Sequence, residues 1–374
     1  MKNYPKALKR KLLNTVSQIR KELPKHTADP KRDFKRNRKL PFETLCKTIL
    51  FMSGQSLNVE LQRQFHYDPT AATTSAFVQQ RGKLLPTAFE EILRRFTYQN
   101  RPIRRWNGYT LLAADGSHVQ IPSDIHDKAT YFNSTKDGRG YNLLHLNALY
   151  DLESQVYLDA IIQDGREEHE SQALVELVDR SELTEPVILV ADRGYEAYNN
   201  MAHIEQKGWK YLIRVKDKQG LLSGLRLTGA PEFDAAFSYS LSKRLTNRIR
   251  QEPHKYRWIP KKVHFDYIGD ASDALYPISF RVVRFAVKEG LYETVITNLP
   301  ADRFPPPLLR ELYHKRWGIE TSFRDLKYTL ALTHFHAKKR PFIKQEIFSR
   351  MTLYNFASLL RLHAVFKKAE GKNI

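Results

Sequence analysis

Cysteine is nearly absent from this 374-residue chain: Cys46 stands alone. A disulfide framework is therefore excluded, and the composition fits a reducing cytoplasm. Cys46 lies among apolar residues and reads as core. Long hydrophobic runs are also missing. The longest, from Phe42 to Met52, is broken by Glu43, Thr44 and Lys47, which excludes a membrane-spanning segment there. The N-terminus is basic but lacks the apolar stretch and small-residue cleavage site of a secretory signal. No internal repeat or low-complexity tract occurs. Acidic residues are scarce relative to basic ones: 41 Asp and Glu face 61 Lys and Arg, a net charge of +20. That balance points to a polyanionic partner.

The excess charge is unevenly placed. Residues 1–40 hold 14 Lys and Arg against 3 Asp and Glu, so 14 − 3 = +11. Lys31, Arg32, Lys35, Arg36, Arg38 and Lys39 make the densest cluster. A solubilising tail would have the same composition. Because the cluster leads into a helical module, these six cations are read as DNA contacts.

A chain of this length should form two or three domains. Helices are expected at Ala7–Leu23, Phe42–Phe51, Asn58–Phe65 and Pro86–Phe96, giving a basic helical front end over residues 1–106. Strands follow at about Thr110–Ile121, Leu143–Leu152 and Gln155–Gln163. A helix over His169–Leu183, a strand over 186–192, a helix over 196–206 and a strand over Lys210–Val215 complete a mixed α/β order. Residues 216–296 are β-rich. From Lys243 to Lys262 they carry eight Lys or Arg and one acid, with Tyr256 and Trp258 interleaved. Aromatics in such a setting can stack on unpaired bases; a solvated hairpin with core aromatics fits equally well. A last helix is expected over Phe342–Phe366, and residues 367–374 read as a frayed tail.

Two aspartates end apolar strand-like runs, Asp115 after Tyr109–Ala114 and Asp192 after Pro186–Ala191. Each is followed by Gly within two residues, a spacing that an ordinary turn also shows. Downstream, Leu312–Lys327 contains no Pro and one Gly, Gly318. It reads as one continuous helix. Stepping 100° per residue from Glu320 places Tyr313 near about +20°, Arg316 near about −40°, Arg324 near about +40° and Lys327 near about −20°. One carboxylate thus shares a stripe with a phenol and three cations. A surface ion-pair ladder would look alike in isolation. With the two upstream aspartates, it becomes an acid triad suited to a hard cation shared with phosphate oxygens. Nothing in the spacing suggests a soft-metal site. His118 reads as a strand-end surface residue, and His334 and His336 lack acid or Cys partners in sequence. Lys136–Gly140 has the wrong Gly spacing for a nucleotide fingerprint.

The order Asp115, Asp192, Glu320, with Tyr313, Arg316 and Lys327 at fixed offsets around the Glu, resembles the DDE transposases of the insertion-sequence family four. The flanks Asp115-Gly-Ser, Asp192-Arg-Gly-Tyr and Thr297-Asn-Leu-Pro300 agree, and the resemblance covers about residues 30–365. It implies a ribonuclease-H-like core over 107–215 and 297–366, interrupted by a β-rich insertion at 216–296 and preceded by a helical DNA-binding domain. It implies that Asp115, Asp192 and Glu320 bind two Mg²⁺ ions, with Mn²⁺ able to substitute. Tyr313 and Arg316 would grip a backbone phosphate and Lys327 would contact the transferred end. Arg324, Arg193 and Trp258 are further DNA-contact candidates. The expected activity is cleavage at terminal inverted repeats and strand transfer into target DNA, with a hairpin as one open route, by a homodimer on double-stranded DNA. A cytoplasmic, nucleoid-associated location and no membrane partner are expected. A nuclease without strand transfer and a non-catalytic DNA-binding descendant are the alternatives; the complete acid triad argues against the second.

Overall fold

The computed structural model describes residues 3–36, 39–133, 138, 140–217, 220–269 and 273–369. Its helices and strands, in chain order, are α1 (Tyr4–Arg20), α2 (Phe42–Phe51), α3 (Leu57–Gln64), α4 (Thr74–Arg81), α5 (Thr87–Asn100), β1 (Thr110–Ile121), β2 (Tyr131–Phe132), β3 (Tyr141–Asp151) and β4 (Val156–Asp164). Then come α6 (Glu170–Asp179), β5 (Val187–Ala191), α7 (Tyr198–Gln206), β6 (Lys210–Arg214), β7 (Phe233–Ser242), α8 (Asn247–Gln251), β8 (Tyr256–Trp258), β9 (Tyr276–Lys288) and β10 (Leu291–Thr297). The chain closes with α9 (Pro306–Lys315), α10 (Trp317–Arg324) and α11 (Arg340–Ala369). No described helix is long and apolar enough to cross a membrane.

The chain divides into two compact units, one of Met1–Arg104, Gly116–Glu168 and Glu320–Ile374, the other of Arg105–Asp115 and His169–Ile319. In the first unit the front-end helices are packed elements. α1 buries Leu8, Leu12, Val16 and Ile19 on one stripe, the three-to-four-residue spacing of a helix face turned to a core. α11 packs on α5, α2 and β4. Its Asn355 ties the layer: the side-chain amide donates to Thr97 Oγ1 (2.6 Å) and the Tyr157 carbonyl (2.7 Å), and accepts from the Tyr157 N–H (2.8 Å). α4, absent from the sequence reading, starts at Thr73, whose Oγ1 accepts from the Ala76 N–H. It delivers Arg81 into the interior at 2 % exposure. There Nε donates to Gln345 Oε1 (2.7 Å), Nη1 to Glu346 Oε1 (2.8 Å) and Nη2 to the Phe342 carbonyl. Such a buried charge is tolerable only when fully paired.

The second unit is built on a large mixed sheet in the order β1-β5-β6-β10-β9-β7-β8. β5 is parallel to β1 and to β6, and all five of its residues are buried, as a strand covered on both faces requires. The segment 216–296 does not end the sheet but extends it. β10 pairs antiparallel with β6, β9 with β10, and β7 with β9. The β9–β10 hairpin turns on Glu289-Gly290, with Gly290 at φ +72°, a conformation L-residues disfavour.

Candidate active site

Asp115 and Asp192 stand side by side because of register. In the β1–β5 ladder Ala114 pairs with Ala191, so the next residue on each strand is an aspartate at the carboxyl end of the parallel pair. Ala191 pairs in turn with Ile213 on β6, which puts Arg214 at the same level on the third strand. Carboxyl ends of parallel strands are where open α/β sheets expose ligand-binding groups. Both aspartates are half-buried. Arg214 Nη1 lies 3.9 Å from Asp192 Oδ1 and its Nη2 3.5 Å from Glu293 Oε1.

The segment after β5 folds tightly. The Tyr195 N–H donates to the Asp192 carbonyl (3.0 Å), and Asn200 holds the turn by donating to the Tyr195 carbonyl (2.8 Å) and Ser171 Oγ (3.0 Å). A Cβ on Gly194 would sit 2.8 Å from Glu170 Oε2, so the glycine admits this acid close to the backbone. Burial, then Glu170, Asp115 and Asp192, push the Tyr195 phenol well above its usual range, so it stays protonated.

From α9, the Tyr313 hydroxyl donates to Asp192 Oδ1 at 3.3 Å. Arg316 Nη1 lies 3.8 Å from Asp115 Oδ2. Tyr313 and Arg316 are each 3 % exposed, and the guanidinium lies 5.6 Å from the ring centroids of both Tyr313 and Trp317. Burial raises the Tyr313 phenol, against the lowering by Arg316; it is a hydrogen-bond donor throughout the neutral range. The phenol and the guanidinium therefore each address one aspartate.

The single helix expected over Leu312–Lys327 is broken twice. α9 ends at Arg316, where i→i−3 hydrogen bonds (Arg316 N–H to Tyr313 carbonyl, Ile319 N–H to Arg316 carbonyl) tighten the turn. Asp325–Thr329 is a π-helical turn, with the Leu330 N–H on the Asp325 carbonyl. A π turn slips the side-chain phase, so 100° stepping cannot place Lys327. In the first unit Lys327 Nζ donates to Ser117 Oγ at 2.7 Å, and burial lowers its pKa. Glu320, half-buried in α10, belongs to the first unit. Two residues on, Ser322 Oγ is 2.7 Å from the Tyr157 hydroxyl.

Arg193 and Arg324 are exposed. Arg193 lines a cavity of about 570 Å³ with Arg214, Lys216 and Tyr292, a concentration of cations next to Asp192. Trp258, 42 % exposed, lines a second cavity of about 770 Å³ with Lys243, Arg244, Lys261 and Lys262. Lys31, Arg32, Lys35 and Arg36 are exposed, as is Lys39, whose Nζ donates to the Thr70 carbonyl at 2.6 Å. Arg38 and most of Lys136–Gly140 lie outside the described residues. Sequence reasoning missed Arg214 and Glu170. Arg214 was findable: it closes the apolar run Tyr211–Ile213, as Asp115 and Asp192 close theirs. Glu170 was not, since its approach to Gly194 is made by the fold.

Residues 106–356 match the family "Transposase DDE domain", about two thirds of the chain. The chain belongs to that family. Membership implies phosphodiester cleavage and transesterification, and DDE transposases use divalent metal ions. No curated protein matches. Among solved structures, a piggyBac transposase synaptic complex with hairpin DNA, determined by cryo-EM, is similar over 92 % of this chain and 70 % of that one, at 9 % identity and a TM-score of 0.47.

Proposed function

We propose that this DDE transposase belongs to the insertion-sequence family four type. In this reading it binds the terminal inverted repeats of its own element, cuts the ends and joins the freed 3′ strands to target DNA. The observation that carries the reading is the register that sets Asp115 beside Asp192 at the carboxyl end of the parallel β1–β5 pair, with Tyr313 and Arg316 addressing them. The donors there are carboxylate oxygens, which suit Mg²⁺ or Mn²⁺ rather than a thiolate-seeking ion. Asp115, Asp192 and Glu320, the acid that follows Arg316 by four residues, would hold two such ions. When bound, the ions supply Lewis-acid charge at the attacking and leaving oxygens of an in-line displacement.

The chain's own groups would do the rest. Arg316 and Arg214 present guanidinium forks that match phosphate geometry. Tyr313, held protonated, donates to Asp192 or to a phosphate oxygen that replaces it. Lys327 adds a point charge for the transferred end, and Arg193 and Arg324 are exposed phosphate contacts. Trp258 would stack on a base forced out of a bent terminus, a distortion that costs a few kcal/mol. Residues 1–106 would form the DNA-binding domain, with Lys31, Arg32, Lys35, Arg36, Arg38 and Lys39 on the backbone. The core over 107–215 and 297–366 would be ribonuclease-H-like with 216–296 as its insertion, and two copies would assemble on paired ends.

The deciding experiment incubates the chain with the element's end sequences and Mg²⁺ and resolves nicked, hairpin and joined products. Joined products are expected. Cleavage without joining would leave a nuclease, and end binding without cleavage would leave a DNA-binding protein.

A further inference from the structure

Three residues far apart in sequence converge in the first unit. His118 lies on β1, His145 in the middle of β3, and Glu168 just ahead of α6. His118 Nε2 is 2.7 Å and His145 Nδ1 3.2 Å from the same atom, Glu168 Oε2. The two imidazoles meet edge to face at 4.9 Å, and one ligand atom from each residue lies within 4.8 Å of the others.

The backbone explains the convergence. Gly165 is pressed on β3, donating to the Leu143 carbonyl at 3.1 Å. A Cβ there would stand 2.6 Å from that oxygen, so no other residue allows the approach. The chain leaving Gly165 is thereby steered along β3, and Glu168 arrives opposite His145. His145 is 3 % exposed and set in the β3–β4 ladder opposite Gln163, whereas His118 and Glu168 are exposed and free to adjust.

We propose that His118, His145 and Glu168 form a binding site for a borderline divalent transition ion of the Zn²⁺ type, chemically distinct from the oxygen-only acids proposed to hold Mg²⁺. Two imidazole nitrogens and one carboxylate oxygen are a zinc donor set, with the fourth tetrahedral position left to water. Ligand atoms about 2.0–2.1 Å from a tetrahedral ion stand about 3.3 Å apart. The His145–Glu168 separation already matches that spacing. The His118–Glu168 separation opens to it by rotation of two exposed side chains. Mg²⁺ favours oxygen ligands and sheds water reluctantly, so this set discriminates against it.

The test uses the full chain, stripped by chelator and titrated with Co²⁺. Visible d–d absorption and metal analysis after gel filtration are read together. One Co²⁺ per chain with intense tetrahedral-type absorption is expected, displaced by an equivalent of Zn²⁺ and retained in a large excess of Mg²⁺. His118→Ala and Glu168→Gln, both at exposed positions, should weaken binding by more than the roughly 10–100-fold that outer-shell partners cost. Asp192→Asn should retain the band. No band from the folded chain, a band that survives both variants, one that is lost in Asp192→Asn, or one that Mg²⁺ displaces would each overturn the site.

Discussion

Two guanidinium groups, Arg81 in the first unit and Arg316 in the second, are buried to 2 % and 3 % exposure, yet they are used differently. Arg81 has direct hydrogen bonds to Gln345, Glu346 and the Phe342 carbonyl. Glu346 opposite is pushed up by burial but held below its usual range by His336 and Arg81. Each guanidinium nitrogen of Arg81 has a protein acceptor. Arg316 has Nη1 3.8 Å from Oδ2 of Asp115, an acid at the carboxyl end of the parallel strand pair, and its guanidinium lies against the rings of Tyr313 and Trp317. Burial alone therefore does not reveal a charge's role. What separates the two is place: Arg81 ties α4 to α11 inside the first unit, whereas Arg316 stands by an acid at the carboxyl end of parallel strands, where open α/β sheets expose ligand-binding groups.

The sharpest way to break the comparison is to remove an acid. Asp115→Ala, Asp192→Ala and Glu320→Ala should each abolish cleavage of end DNA, with end binding retained and little change in the melting curve. Chelator should reproduce the loss, and Mn²⁺ should restore activity in place of Mg²⁺. Turnover at the normal rate by any of the three variants would remove that acid from the proposed site.

Next in size is the contrast between the two arginines. Arg81→Ala removes the cation that pairs with buried Glu346 and should cost about 3–5 kcal/mol in urea unfolding. Arg316→Ala and Tyr313→Phe should cost far less stability but slow hairpin formation or resolution more than the first nick, since only the hairpin demands a distorted terminus. Equal slowing of both steps would reduce the pair to general DNA binding.

A smaller effect is expected at the basic front end. α1 is part of the core, so deleting residues 1–40 would unfold the unit it packs into. The four exposed cations Lys31, Arg32, Lys35 and Arg36 can instead be replaced by Ala together. Each phosphate contact removed should flatten the log–log salt dependence of DNA binding by about 0.9. An unchanged slope would assign the cluster to solvent.

The smallest effect concerns Asp151, paired with Arg101 at 3.2 Å. Burial raises its pKa to about 6, against the lowering by Ser154 and Arg101. The folded state then holds a proton that the unfolded chain releases near its ordinary value of 3.8. This group favours folding below that value and loses its contribution as pH rises to about 6. Asp151→Asn should remove that slope, measured as the difference between variant and parent unfolding free energies from pH 4 to 7. Parallel curves would mean the carboxylate ionises normally.

How much of this was legible follows the range of the interactions. The apolar run Val187–Ala191 and its terminal Asp192 announced a buried strand, and β5 is that strand. α1 declared itself through Leu8, Leu12, Val16 and Ile19 at helical spacing. α4 did not, because its buried face consists of Phe77, Gln80 and Arg81, two of them polar and paid for by partners elsewhere in the chain.

The sequence by itself determined most of the helices and strands, the excess of cations, the two aspartates that close apolar runs and the pattern Tyr313, Arg316, Glu320, Lys327, because these depend on local periodicity and neighbouring residues. Only the tertiary structure decided which groups meet. Strand register set Asp115 beside Asp192 and brought Arg214 level with them. The breaks at Arg316 and in the π turn re-aimed a stripe that uniform stepping had drawn straight. The close approach of Gly165 to β3 delivered Glu168 to His118 and His145. Register, helix breaks and backbone contact are set by packing between segments distant in the chain, and no local spacing encodes them.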